Sequence, residues 1–315
     1  MSFIIHTWRR LNQIIDTAVF PHVTKADIEN KLLMELETRT ARGDSVLHTA
    51  VRLHQFVYME RILECIKYHI DDISPIVNCP NMLNRQTPLH LLIQMNVVTD
   101  MLHISVIKAL LQVGADPNKT DIFEFNALHL AVKENNVNIV KCLLEFPGIN
   151  INQVSANMGT PLHIAAEENR VEIARLLLKH GADVNSIDLQ KGQTPLHVAV
   201  KKSHVQIVEL LLKQADIDIN KEDYRCQTPL KFAILRADTR LLKIVNKLVN
   251  RGATFESTNL AEETDDSLES VEENATKTTA KNRKMQTLAF LFSQISVNEN
   301  IPSEIPFIDT SNIEY

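Results

Sequence analysis

The sequence predicts an all-α solenoid of stacked helical repeats, and three observations carry that prediction. A short phrase, clearest as QTPLH, GTPLH and QTPLH ending at residues 90, 163 and 197, recurs so that His48, His90, His129, His163, His197 and Lys231 occupy equivalent points. The last three intervals are 34 residues each, a period that marks stacked supersecondary units and not a single folded globule. Only 5% of residues are aromatic against 44% hydrophobic in all, as expected where Leu, Ile, Val and Ala fill contacts between helices.

The elements follow in chain order. Residues 1–42 contain two helical patterns, at 4–19 and 27–37, expected to pack as a cap on the exposed apolar end of the first repeat. Six units then run from about residue 43 to 254, opening with GDSVLH, RQTPLH, FNALHL, GTPLHI, QTPLHV and QTPLKF. The fourth unit shows the local logic. Thr160 supplies a cap for orphan helix N–H groups, and Pro161 fits the first helical position because its missing donor costs nothing there. A first helix is expected over 162–168, a polar turn at Asn169 and Arg170, and a second helix over 171–180 with Ile173, Leu176 and Leu177 on one apolar stripe. Gly181 in the GAD triplet then ends the helix in the left-handed conformation, and residues 184–192 form a polar finger, a β-hairpin or loop, projecting towards the next unit.

No single unit can bury its own apolar face, so stability must come from stacking of neighbours. The first two intervals are 42 and 39 residues, which places extra chain around 68–77 and 98–103 and predicts longer helices or loops there. Periodicity ends near Phe255. Residues 256–273 hold eight acids and no base, so the net charge of −6 leaves the rest of the chain near +2. Such a block reads as a disordered, acidic interaction tail spanning 255–315, with a short helical pattern at 281–294.

Several function classes are disfavoured. There is no phosphate-cradling glycine loop, no CxxC pair and no nucleophile elbow, and seven glycines leave little material for one, so no enzyme and no cofactor is expected. Successive histidines of the phrase lie one repeat apart, roughly 10 Å, too far to share a metal ion, so each is assigned to a hydrogen bond within its own turn. Basic residues do not gather, which argues against direct nucleic-acid binding, and no apolar stretch is long enough to cross a membrane. Cys65, Cys79, Cys142 and Cys226 lack paired spacing, and no signal-peptide pattern opens the chain. The expectation is a cytoplasmic protein with nuclear shuttling open to it.

The repeated TPLH and GAD elements carry the ankyrin-repeat signature. In order, GDSVLH, the long stretch before Ile76-Val77-Asn78, RQTPLHL, GADPN, NALHLAVKENN, MGTPLHIAAEEN and DLQKGQTPLHVAV resemble the inhibitor-of-κB family, in the form of the C-terminal ankyrin half of NF-κB precursors such as Relish. The resemblance covers about two thirds of the chain and implies binding to Rel-homology transcription factor dimers, cytoplasmic retention and blocked DNA binding in immune signalling. It implies partner contacts at the finger residues Asn84, Arg85, Phe123, Phe125, Asn157, Met158, Gln190, Lys191, Tyr224 and Arg225, and in the tail at Glu262, Glu263, Asp265 and Asp266. Phe123 and Phe125 are the expected anchors, with packing between fingers as the competing account of both. Ser270, followed by Glu273, suits an acid-directed kinase.

The chain also departs from the family. Residues 1–42 contain only Ser2 and no DSGxxS segment, no Rel-homology domain precedes the repeats, and the tail is too short for a death domain. Those features fit a precursor fragment, an alternative product or a viral mimic. The competing function is a generic ankyrin adaptor for unrelated signalling proteins, since such scaffolds share their frame and differ at the fingers.

Overall fold

The computed structural model describes residues 2–17, 25–70, 72–95, 101–235 and 241–254. Fifteen helices are found among them, with no strand beyond isolated bridges at Arg39–Ser45 and Ser155–Gly159, so the fingers are built from turns. Contacts divide the chain into two compact units, residues 1–190 and 191–315.

In the first unit, α1 (Ser2–Thr17) and α2 (Lys25–Leu36) pair with each other and pack on the first repeat. That repeat consists of α3 (Val46–Arg52) and α4 (Phe56–His69), followed by the single turn α5 (Ser74–Val77). The next three repeats are α6 (Pro88–Gln94) with α7 (Met101–Gln112), α8 (Ala127–Lys133) with α9 (Val137–Leu144), and α10 (Pro161–Glu167) with α11 (Val171–Lys179). First helices stack in one row, α3 to α6 to α8 to α10, and second helices in another, α4 to α7 to α9 to α11. The long intervals of the sequence are spent on α4 and α7, which run 14 and 12 residues where α9 runs 8. In the second unit, α12 (Pro195–Lys201) and α13 (Val205–Leu211) stack on α14 (Pro229–Leu235) and α15 (Leu242–Asn250) in the same two-row manner.

Local chemistry sets the helix limits. Each first helix is short because its cap and the next turn are close together, and the turn residues His54, Asn135, Asn169 and Ser203 take positive φ between 55° and 62°. Asparagine enters that region most readily of the non-glycine residues. In α11, Ile173, Ala174 and Leu177 are buried while Leu176 is only half-covered, so the apolar stripe lies slightly off the 173–176–177 line expected. Gly181, at φ 90°, closes α11, its N–H bonding to the Leu178 carbonyl and that of Ala182 to Leu177.

A second device joins neighbouring repeats. The Asn78 side chain donates to the Gly114 carbonyl at 2.8 Å and accepts from the Asp116 N–H at 2.7 Å, imitating a backbone amide across the joint. Asn118 does the same with Gly148 and Asn150, and Asn152 with Gly181 and Asp183. In the second unit, Asn220 accepts from the Thr254 N–H at 2.9 Å. These asparagines lie in the segments between repeats, at the residue that closes GADPN in the clearest case.

Candidate protein-binding fingers

The recurring phrase is a capping box with a histidine as its third helical residue. In the first repeat, the Ser45 N–H and hydroxyl both donate to His48 Nδ1, at 3.1 and 2.7 Å, and the ring's Nε2–H donates to the Gln86 carbonyl at the base of the next finger, at 2.8 Å. A carbonyl can only accept, which fixes the proton on Nε2 and leaves Nδ1 as the acceptor. His90 repeats this with Thr87 and the Phe125 carbonyl, and His197 with Thr194 and the Gln227 carbonyl. His163 makes the same Nδ1 contacts with Thr160. In the third repeat the Asn126 N–H donates to His129 Nδ1 at 3.3 Å, and the ring's Nε2–H donates to the Gly159 carbonyl at 3.1 Å. Burial pushes His48 and His129 down to about 4 and lowers His90 too, against the opposing pull of their carbonyl partners. His48, His90 and His129 are therefore neutral hydrogen-bonding struts. Among the described residues, no group of three or more His, Cys, Asp or Glu is placed to hold a metal ion.

Each finger rises from this base. Asp121 Oδ1 accepts from the N–H groups of Phe123 and Phe125, at 2.8 and 3.0 Å, which tightens the turn and pushes the intervening residues outwards. Asp223 does the same for Arg225 and Gln227, and Asn81 for Asn84 and Gln86. Adjacent tips are tied through the backbone: the Met82 N–H bonds to Arg42, Ile122 to Asn84, and Tyr224 to Lys191.

The predicted finger residues separate on this geometry. Asn84, Arg85, Asn157, Gln190, Lys191, Tyr224 and Arg225 are exposed, and Met158 is half-exposed. Gln190 donates its amide to Asn157 across neighbouring tips at 3.0 Å. The Tyr224 ring lies over Gly192, where any Cβ would come within 2.5 Å of it. Phe123 is 48% exposed, as an anchor must be. Phe125 corrects the expectation of paired anchors: it is 4% exposed, stacked on His129 with ring centroids 5.6 Å apart and roofed by Lys133 Nζ at 5.2 Å. It packs against the first helix of its own repeat. Glu262, Glu263, Asp265, Asp266 and Ser270, with the helical pattern at 281–294, lie outside the described residues.

Sequence reading missed four tip residues. Met82, Leu83, Ile122 and Leu189 are 80, 55, 46 and 58% exposed, large apolar side chains that the fold leaves in water. Each follows the finger's Asn or Asp by one or two positions, the signal that could have found them. Together with Phe123 they line the tips of the first unit's fingers with apolar surface.

The profile described as Ankyrin repeats (3 copies) matches residues 95–188 and 186–259, together just over half of the chain. The chain belongs to the ankyrin repeat family. It is 35% identical over 132 residues, 41% of its length, to the nuclear factor NF-kappa-B p105 subunit of Rattus norvegicus, of which the match spans 12%. Among solved structures it is similar to the ankyrin repeat domain of Bcl-3, described as a unique member of the IkappaB protein family. That match has 30% identity and a TM-score of 0.56, and it covers 67% of this chain and 88% of that one. Ankyrin domains are protein-interaction scaffolds whose fingers and first helices vary while the frame repeats. Among the described residues, no helix is long and apolar enough to cross a membrane.

Proposed function

We propose that this chain binds Rel-homology transcription factor dimers through its fingers, retains them in the cytoplasm and keeps them from DNA, as part of immune signalling of the Relish type. The observation that carries the reading is an apolar row of fingertips, Met82, Leu83, Ile122, Phe123 and Leu189, on an ankyrin domain similar to those of p105 and Bcl-3. Exposed apolar side chains that the fold does not use are the ordinary material of binding hot spots. Residues 43–254 act as the binding solenoid, 1–42 as its helical cap and 255–315 as an acidic extension. Glu262, Glu263, Asp265 and Asp266 add negative charge suited to a surface built to hold phosphates, and phosphate on Ser270 deepens that field. Recognition is by protein surface alone, with no direct contact to nucleic acid, membrane or small-molecule substrate.

The test is calorimetric binding of the full chain to a panel of Rel-homology dimers, with and without DNA carrying their cognate site. Submicromolar binding that excludes the DNA supports the proposal. No binding to any dimer at about 10 μM removes it and leaves the generic adaptor as the working reading.

A further inference from the structure

Charge is distributed unevenly along the chain. Residues 191–254 carry twelve lysines and arginines against six acids, and residues 256–273 carry eight acids and no base. Part of the cationic excess gathers where α13 packs on α15. Lys247 of α15 reaches Glu209 of α13 at 2.7 Å, and its hydrogen bond and charge, aided by Lys213, hold the Glu209 carboxyl below its usual range. Arg251 donates its guanidinium to the Leu212 carbonyl, beside Lys213. Lys243 lies one turn before Lys247 on α15. Lys247 and Lys213 thus act on one carboxylate, and Lys243, Lys247 and Arg251, spaced four residues apart, continue a cationic face along α15.

Helix electrostatics accounts for only part of this patch. Lys247 and Arg251 sit at the C-terminal end of α15, where the helix dipole favours positive charge. Lys243 is the second residue of the same helix, where the dipole disfavours a cation, and no acid occupies that first turn. Lys243 is exposed, so its charge is open to an anion from outside the helix.

We propose that the patch formed by Lys213, Lys243, Lys247 and Arg251 is a docking surface for the chain's own acidic segment, residues 256–273. The proposal goes beyond the binding of Rel dimers and does not rest on it. The tether fits: α15 is about 14 Å long, and the acids at 262–266 begin eight residues past Thr254, within reach of about 26 Å of extended chain. A linker this short holds the acids at an effective concentration in the millimolar range, enough for individually weak, exposed ion pairs to act together. Such a dock is screened by salt, and it keeps the acids occupied until a more strongly basic surface competes for them.

The test uses the full chain with a nitroxide label on Asp266→Cys in a Cys226→Ser background, read by amide signal intensities. The expected result is roughly threefold weakening of signals from α13 and α15 relative to α12, reversed by about 0.5 M salt and by Lys213→Gln/Lys243→Gln. Circular dichroism confirms that this double variant is folded. Even weakening across the unit, or weakening that survives both salt and substitution, overturns the proposal. It is also overturned if a short DNA duplex shifts the α13 and α15 signals while the label affects neither helix, which would assign the patch to phosphates.

Discussion

The base and the tip of each finger lie within one loop and obey different rules. At the base, the first, second and fifth repeats place the same atoms in the same contacts: a hydroxyl and an N–H on histidine Nδ1, and Nε2–H on the next carbonyl. At the tips, Met82, Phe123, Asn157, Leu189 and Tyr224 share neither size nor polarity. Where backbone groups must be satisfied, geometry admits few residue types. Where only water is met, the fold leaves the choice open, and what occupies the tip reflects what the tip touches. Stability should therefore respond to the bases and binding to the tips.

Acid should strain this division most. His48 and His129, pushed down to about 4 by burial, and His90, lowered in the same way, are neutral in the folded chain. In the unfolded chain they take up protons near pH 6.5, so their contribution is complete above that value and drains as pH falls towards 4. The loss is up to about 1.4 kcal/mol per pH unit for each ring. Urea unfolding between about pH 7 and pH 5 measures the slope, and a flat profile contradicts neutral struts. The two phenylalanines of one finger give the sharpest internal contrast. Phe125→Ala should cost about 3–4 kcal/mol of folding stability, and Phe123→Ala less than about 0.5. Equal costs in denaturant titrations would erase the difference between base and tip.

The sixth repeat refines the point, because Lys231 stands where the others carry histidine and no further finger follows among the described residues. His197→Ala should lose about 2–3 kcal/mol by orphaning the Gln227 carbonyl and the Thr194 cap. Lys231→Ala, at a half-exposed site whose backbone N–H bonds to Thr228 Oγ1, should lose less than about 0.5. Thermal unfolding of the pair checks this ordering. A smaller loss than at Phe125 or His197 is expected at the joint between repeats, where Asn118→Ala removes two exposed bonds worth about 1 kcal/mol together. Hydrogen exchange at the Asn150 amide would show the local opening.

Much of the frame was legible in the sequence because capping chemistry is local. Thr160, Pro161 and Gly181 place helices α10 and α11 within a residue of their observed limits. The patterns at 4–19 and 27–37 fall on α1 and α2 with starts displaced by two residues, and 18–19 lie outside the described residues. The finger residues were harder, because Phe123 and Phe125 look alike in a loop and only the Asp121 turn sends one outwards and the other in. Alignment to the phrase does contain the clue. The residue before the cap is buried in the first five repeats, Asp44, Gln86, Phe125 and Gln193 among them, so Phe125 occupies a structural position. The asparagine bridges went unread because their partners lie some 30 residues away, across a stacking contact that no local pattern specifies.

On the proposed function, apolar fingertips bind the partner without supporting the fold. The affinity of the full chain and of Leu83→Ala/Phe123→Ala for one Rel-homology dimer that it binds, beside their unfolding midpoints, tests this division. The account predicts affinity weakened roughly tenfold or more with the midpoint unchanged. Unaltered affinity, or a loss that follows a fall in stability, would contradict it.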